Sequence, residues 1–380
     1  MIYLDNAATT FPKPPSVVRD ITDCMRHDCG NPGRGSHALA MRAAEHIYRC
    51  REEIATFFGF HNTERVCFTV NATAALNTVI KGALREGDHV LISDMEHNAV
   101  LRPIIKLADA GRITYDVFPT HALDPGRTPQ MICREIFERI RPNTRMLICA
   151  HASNICSASL PLSEIGALCK RFGILFVVDA AQSAGHLPIN VEKMQIDALC
   201  VPGHKGLMGP QGIGFFLLSD GISLDTLTEG GSGFHSLDPH MPDDAPERYE
   251  AGTLPTPAIT GLASGIREIK SRGVDEIHAK IKALNARLQE RLLNTLGITV
   301  YAPHHVGSVL SFNADKIRSD ALATELDRRG FCVRAGYHCA PLAHKTLATP
   351  DGGTVRVSPS IYTTAKQIDA FAEAVREILQ

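Results

Sequence analysis

Short apolar runs rich in Val, Ile, Leu and Phe recur along the first part of the chain: Val66–Val70, His89–Asp94, Arg145–Ala150, Ile174–Asp179 and Ile196–Val201, with helix-length segments between them. Strands buried on both faces read in this way, so the pattern predicts an α/β fold with a mainly parallel sheet covered by helices. Gly212–Leu218 follows the preceding run too closely for a helical crossover and is expected as an antiparallel strand. Ligands of such sheets sit beyond the carboxyl ends of the strands.

A different pattern begins near Ile259. From Ile277 to Leu296 apolar residues recur every three or four positions, which predicts a helix with one buried face. Ser308–Phe312 and Phe331–Arg334 read as strands, and 319–329 and the stretch from about Thr364 as helices. The polar, proline-rich stretch His235–Pro257 is expected to be a surface loop that reaches a partner subunit.

With 380 residues, 44% hydrophobic and 21% charged, the chain can bury a large core in a big domain with a smaller one beside it. A net charge of -2 gives no electrostatic footprint for nucleic acid or an anionic membrane. The chain shows neither a signal-like start nor an apolar run of bilayer length, so a cytoplasmic protein acting on a small substrate is expected. Eleven cysteines without regular spacing argue against a disulfide framework, and Cys67, Cys149 and Cys200 read as buried small hydrophobes.

Two strand ends carry the chemistry. The run Ile174–Asp179 ends in a carboxylate, and 26 positions later Lys205 follows an apolar run and precedes a glycine-rich stretch. Alone, Lys205 reads as a solvated loop lysine and Asp179 as a helix cap. Together they are what pyridoxal phosphate (PLP) needs: an acid that keeps the pyridine nitrogen protonated and a lysine that carries the aldehyde. After the strand at Val66–Val70 comes a helix-forming run at Ala72-Thr73, whose free amides and the Thr73 hydroxyl suit the phosphate; an ordinary N-cap would use the same hydroxyl.

Asp179-Ala-Ala-Gln182, His204-Lys205-Gly-Leu-Met-Gly-Pro-Gln-Gly-Ile-Gly214 and Arg334-Ala-Gly-Tyr-His-Cys339-Ala together resemble the class V aminotransferase superfamily, and within it the cysteine desulfurase and selenocysteine lyase branch. The resemblance runs from Tyr3-Leu-Asp-Asn-Ala-Ala-Thr-Thr10 to Arg356-Val-Ser. It implies a fold-type-I PLP enzyme with a mainly parallel seven-stranded sheet sandwiched by helices and a smaller α+β domain. The implied division is a large domain over 13–262 and a small one made of 1–12 and 263–380. It further implies that His97 stacks on the cofactor ring, where an imidazole can also move protons as a catalytic group, that Gln182 meets the ring hydroxyl, and that Ala72, Thr73 and His204 contact the cofactor. Asn154 is implied over the cofactor or the substrate carboxylate, and Thr253 at the phosphate of a neighbouring subunit in a homodimer. Ala8, Arg34, Arg334 and above all Arg356 are implied at the substrate. The chain departs from the pattern at Pro202, where a hydroxyl residue is frequent, at Ala72 and Ala74, where polar side chains are, and at Ser157, where glycine is.

Cys339 decides the reaction, because PLP alone allows several outcomes. It stands in a loop-like stretch between glycine and proline, with Arg334 and His338 close by, a setting of mobility and positive charge that favours a nucleophilic thiolate. The implied function is a PLP-dependent cysteine desulfurase: it takes sulfur from L-cysteine as a persulfide on Cys339, leaves L-alanine and passes the sulfur to an acceptor protein. The alternatives are a selenocysteine lyase acting on L-selenocysteine, a PLP carbon–sulfur lyase or aminotransferase that does not use Cys339, and a non-catalytic sulfur-carrier scaffold. No ligand set for a metal is completed around His338, Cys339 and His344.

Overall fold

The computed structural model describes every residue except Arg34 and His235. The first part of the chain forms β1 (Ile2–Tyr3), α1 (Pro15–His27), α2 (Ala38–Phe57), β2 (Val66–Thr69), α3 (Ala72–Ala83), β3 (Asp88–Ser93), α4 (Asn98–Asp109), β4 (Ile113–Phe118), α5 (Pro129–Phe137), β5 (Thr144–Ala150), α6 (Leu162–Phe172), β6 (Leu175–Asp179), β7 (Ala198–Pro202) and β8 (Gly214–Leu218). The chain folds as an α/β protein, with β2 to β8 in one seven-stranded sheet of order β2-β8-β7-β6-β5-β3-β4. Only β8 runs against its neighbours, as its short connection requires. Alternation along β6 shows why its run is continuously apolar: Phe176 and Val178 enter one core, Leu175 and Val177 the other.

Helices cover both faces, and their ends follow local chemistry. Asn71 caps α3 by accepting the Ala74 amide, and α6 stops at Gly173, whose φ of 64° lies in the left-handed region. No helix among the described residues is long and apolar enough to cross a membrane.

After α7 (Thr256–Arg272) come α8 (Val274–Leu293), β9 (Ile298–Val300), β10 (Leu310–Ala314), α9 (Ser319–Arg328), β11 (Phe331–Cys332), β12 (Arg334–Gly336), α10 (Pro341–Thr346), β13 (Thr354–Val357) and α11 (Ala365–Leu379). An antiparallel sheet of order β12-β13-β10-β9 packs with α8 and α11 around Leu288, Phe312, Val355 and Phe371. The chain's start returns to this part, for β1 pairs with β11 and Leu4 enters the same core. The buried stripe of α8 ends at Leu292; Leu296 lies beyond the helix and is 97% exposed. Phe331–Arg334 is not one strand but two short ones with different partners. Cys67, Cys149 and Cys200 are fully buried and unpaired.

Between β8 and α7 the described residues form neither helix nor strand, yet Glu250 anchors the segment. Its carboxylate takes two hydrogen bonds from Arg51, at 2.9 and 2.6 Å, and one from the Phe68 amide at 2.6 Å. Both side chains are under a tenth exposed, so loss of either leaves an uncompensated buried charge. Glu250→Ala is expected to cost about 3–5 kcal/mol, read as a lowered denaturant midpoint; an unchanged midpoint would show the pair to be dispensable.

Candidate active site

A pocket forms where several strand ends and two helix starts converge. Asp179 closes β6, Lys205 follows β7, His97 follows β3 and caps α4, and Asn71, Ala72 and Thr73 open α3; Asn154, Gln182, Pro202 and His204 complete the wall. Asp179 directs Oδ1 to the Ala181 amide at 2.8 Å. Burial pushes its carboxyl pKa up, while that hydrogen bond and Lys205 pull it back. Burial pushes Lys205 down to about 8; Asp179 opposes this, and Arg356 and Arg334 add to it. Each group is thus driven towards its neutral form by lost hydration and held from it by the other's charge.

The chain's first residues hold the lysine loop. Thr10 Oγ1 donates to the Lys205 carbonyl at 2.6 Å, and Lys13 Nζ donates to that of His204 at 2.8 Å. Gln182 Nε2 donates to Ala7 O at 3.0 Å, which fixes its amide beside Asp179. Ala8, next in line, is half-buried, its amide bonded to Asp5 O.

His97 accepts the Ala99 amide at Nδ1, 3.0 Å away, which leaves the ring proton on Nε2. Burial, with Lys205 and Arg334 adding to it, lowers its pKa to about 4, so the ring is a neutral donor near pH 7. His204, lowered to about 4 by burial and the neighbouring lysines, keeps a buried Nδ1 without a partner. With Asn71 committed to Ala74, the amides of Ala72 and Thr73 have no intrahelical acceptor, and Thr73 is exposed. These residues suit a group with an anionic end, a flat ring bearing a basic nitrogen, and a carbon that reacts with an amine. PLP is such a group.

Arg356, on β13, is 2% exposed. Its Nη2 pairs with Asp5 Oδ1 at 2.9 Å, Nη1 reaches Asn154 O at 3.3 Å, and buried Nε has no partner. Arg334 lies directly opposite on β12, so two cations face each other across one strand pair, a repulsion that an anion between them would relieve. The segment after Arg334 carries Cys339, whose side chain is exposed. It is less free than its glycine and proline neighbours suggest, because its carbonyl accepts the Asn98 amide at 2.7 Å and Asn154 Nδ2 donates to His338 O at 2.7 Å.

Thr253 does not join these residues: it is exposed and lines a wider groove with Tyr48 and Phe234. Arg34 lies outside the described residues. Asn71, Asp5, Lys13 and Glu96 carry parts of the site that the sequence reading does not assign. Asn71 alone had a local signal, a capping residue before a helix-forming run.

Glu96 is fully buried beneath the pocket. Its Oε1 accepts the Ser93 hydroxyl and the Ala150 amide, its Oε2 has no partner, and Ala150 lies opposite Asp179 in the sheet. Burial above all raises its pKa to about 8, with Asp179 adding repulsion.

A family model described as Aminotransferase class-V matches residues 2–371. A protein named probable cysteine desulfurase from Methanothermobacter thermautotrophicus is 34% identical, over 99% of this chain and 94% of its own length. The apo structure of a cysteine desulfurase from Thermococcus onnurineus superposes with a TM-score of 0.90 at 30% identity, covering 100% of this chain and 94% of that one. A cysteine desulfurase from Escherichia coli, solved with an S-sulfonic acid, gives 0.89 at 26% identity, covering 99% and 94%.

Because the folded state keeps the Glu96 proton up to about pH 8, this group's stabilising contribution is full below the ordinary glutamate range and is lost as pH rises through about 8. Glu96→Gln removes that titration. The stability of wild-type apoprotein relative to Glu96→Gln should fall between pH 5 and 8 with a slope of up to about 1.4 kcal/mol per pH unit. Parallel stability–pH curves for the two proteins would contradict this.

Proposed function

The chain belongs to the class-V aminotransferase family, and from that premise we propose that it is a PLP-dependent cysteine desulfurase, which leaves L-alanine and a persulfide on Cys339. The observation that carries the reading is the exposed Cys339, fastened by its own carbonyl to the residue after His97, beside a pocket lined by a half-buried lysine. An aminotransferase that made no use of sulfur would have no need of a cysteine there.

When bound, PLP supplies an electron sink that makes the substrate α-carbon acidic. Asp179 would hold the pyridine nitrogen protonated, His97 and Gln182 would orient the ring, and Ala72, Thr73 and His204 would receive the phosphate. Pro202 offers that phosphate no hydroxyl, and Asn71, whose Nδ2 remains available, supports the contact instead. Arg356 takes the substrate carboxylate through its unpartnered Nε, with Arg334 on the facing strand. Lys205, lowered to about 8 by burial, is a free amine in a useful fraction near neutral pH and moves the α-proton. The Cys339 thiolate attacks the substrate sulfur: the S–S bond forms, the carbon–sulfur bond breaks with its electrons left on carbon, and that carbon takes up a proton. The products are alanine and the persulfide, which an acceptor protein then discharges.

A second copy of the chain is part of this reading. Thr73 is open to solvent, whereas Thr253 faces another groove together with half-exposed Tyr48 and Phe234, so a composite site in a homodimer accounts for both. Sedimentation of PLP-loaded protein should give a dimer, and a fully active monomer would remove that part of the proposal.

Borohydride should fix the cofactor covalently to Lys205, and Lys205→Ala should abolish turnover. Cys339→Ser should keep the absorbance of bound cofactor but lose at least about 100-fold in alanine formation from L-cysteine, since a hydroxyl is a far weaker nucleophile than a thiolate. Equal rates in the two proteins would overturn the mechanism. Alanine from L-selenocysteine alone would instead favour the selenocysteine lyase.

A further inference from the structure

The five-residue turn from Asp94 to Asn98 touches two things at once. His97 lines the cofactor pocket, and the Asn98 amide holds the Cys339 carbonyl at 2.7 Å. At the start of the same turn Asp94 Oδ2 accepts the hydroxyl of Thr346, on α10 just beyond the nucleophile, at 3.0 Å. Asp94 is itself immobilised: its amide donates to Phe118 O at 3.1 Å, and its Oδ1 accepts the Thr120 amide at 3.1 Å. Asp94 is 9% exposed and Thr346 half-buried, so competing water reaches their bond only in part.

The segment thus fastened is conformationally unfavourable. His338 and Cys339 have φ of 47° and 59°, two successive left-handed residues, neither of them glycine. Such a pair persists where surrounding contacts over-determine it. Those contacts lie on both sides: Asn154 and Asn98 hold the backbone at 338 and 339, and Asp94 holds the helix that follows.

We propose that Asp94 is a positioning residue for Cys339. Through Thr346 it locks α10 against the end of β3, so that the turn that sets His97 also sets where the thiol stands. The inference rests on the desulfurase reading for its effect on turnover, but the lock itself is a property of the fold.

Thr346→Val removes the hydroxyl with little change of volume. Loss of one part-buried hydrogen bond to a carboxylate should raise amide exchange over residues 337–347 roughly tenfold. In cofactor-loaded protein the kcat for alanine formation should fall by about the same factor, with KM and the absorbance of bound cofactor near wild type. Thr346→Ser, which keeps the hydroxyl, should restore both. Unchanged exchange and kcat in Thr346→Val would overturn the proposal. So would a joint fall of kcat, cofactor content and melting temperature that serine does not rescue, because that is the signature of general destabilisation. If the valine variant does not fold, Thr346→Ala serves in its place. Should wild-type protein release no alanine from cysteine, the proposed function falls, and the exchange rates still decide the lock.

Discussion

Lost hydration at the carboxyl ends of β6 and β7 governs this molecule. A sheet packed on both faces by apolar side chains offers little water to Asp179 or Lys205; Asp179 is held as an ion by the Ala181 amide and Lys205, and Lys205 by Asp179 and, less, by Asp5. Charge placed there is costly unless a ligand completes it. That is why the nearby polar atoms without partners, on His204 and Arg356, matter more than the satisfied ones. The first residues of the chain respond to the same constraint: Thr10 and Lys13 spend their donors on the carbonyls of Lys205 and His204, holding a loop that would otherwise move the ammonium.

What could be read from the chain follows from what is local. Strands β2, β3 and β5 to β7 were legible because burial on both faces demands continuous apolar runs, and β8 because its connection is short. β4 was not: it is an edge strand whose Ile113-Thr-Tyr-Asp-Val-Phe118 is buried only at its two ends. Leu296 continued the helical period but fell past the last turn, since periodicity does not show where a helix stops. Lys205 and Asp179 stood out because each follows an apolar run. Asp5 and Arg356 are 351 positions apart, and no spacing rule joins them. The restraint on Cys339 was hidden for the same reason, because the glycine and proline beside it are local and the hydrogen bonds that hold it are not.

Ser157 shows how a departure from a family pattern can be absorbed. Its φ of 59° is one that glycine adopts without strain, and serine takes it at a cost. The hydroxyl offsets that cost by donating to Val309 O at 2.7 Å and accepting the Val309 amide at 2.9 Å, so the side chain behaves as an extra rung between the two parts of the chain. A glycine there would be more relaxed and would tie nothing together.

The interior cysteines bear on where sulfur can travel. Burial drives the thiols of Cys67, Cys149 and Cys200 well above the ordinary range, and all three are sealed inside the sheet's two cores. Sulfur passes between cysteines only when a thiolate can reach and attack. In the proposed reaction a sulfane atom on Cys339 would find no inward relay in these three, and its open route would be outward, to whatever thiolate solvent or another protein presents.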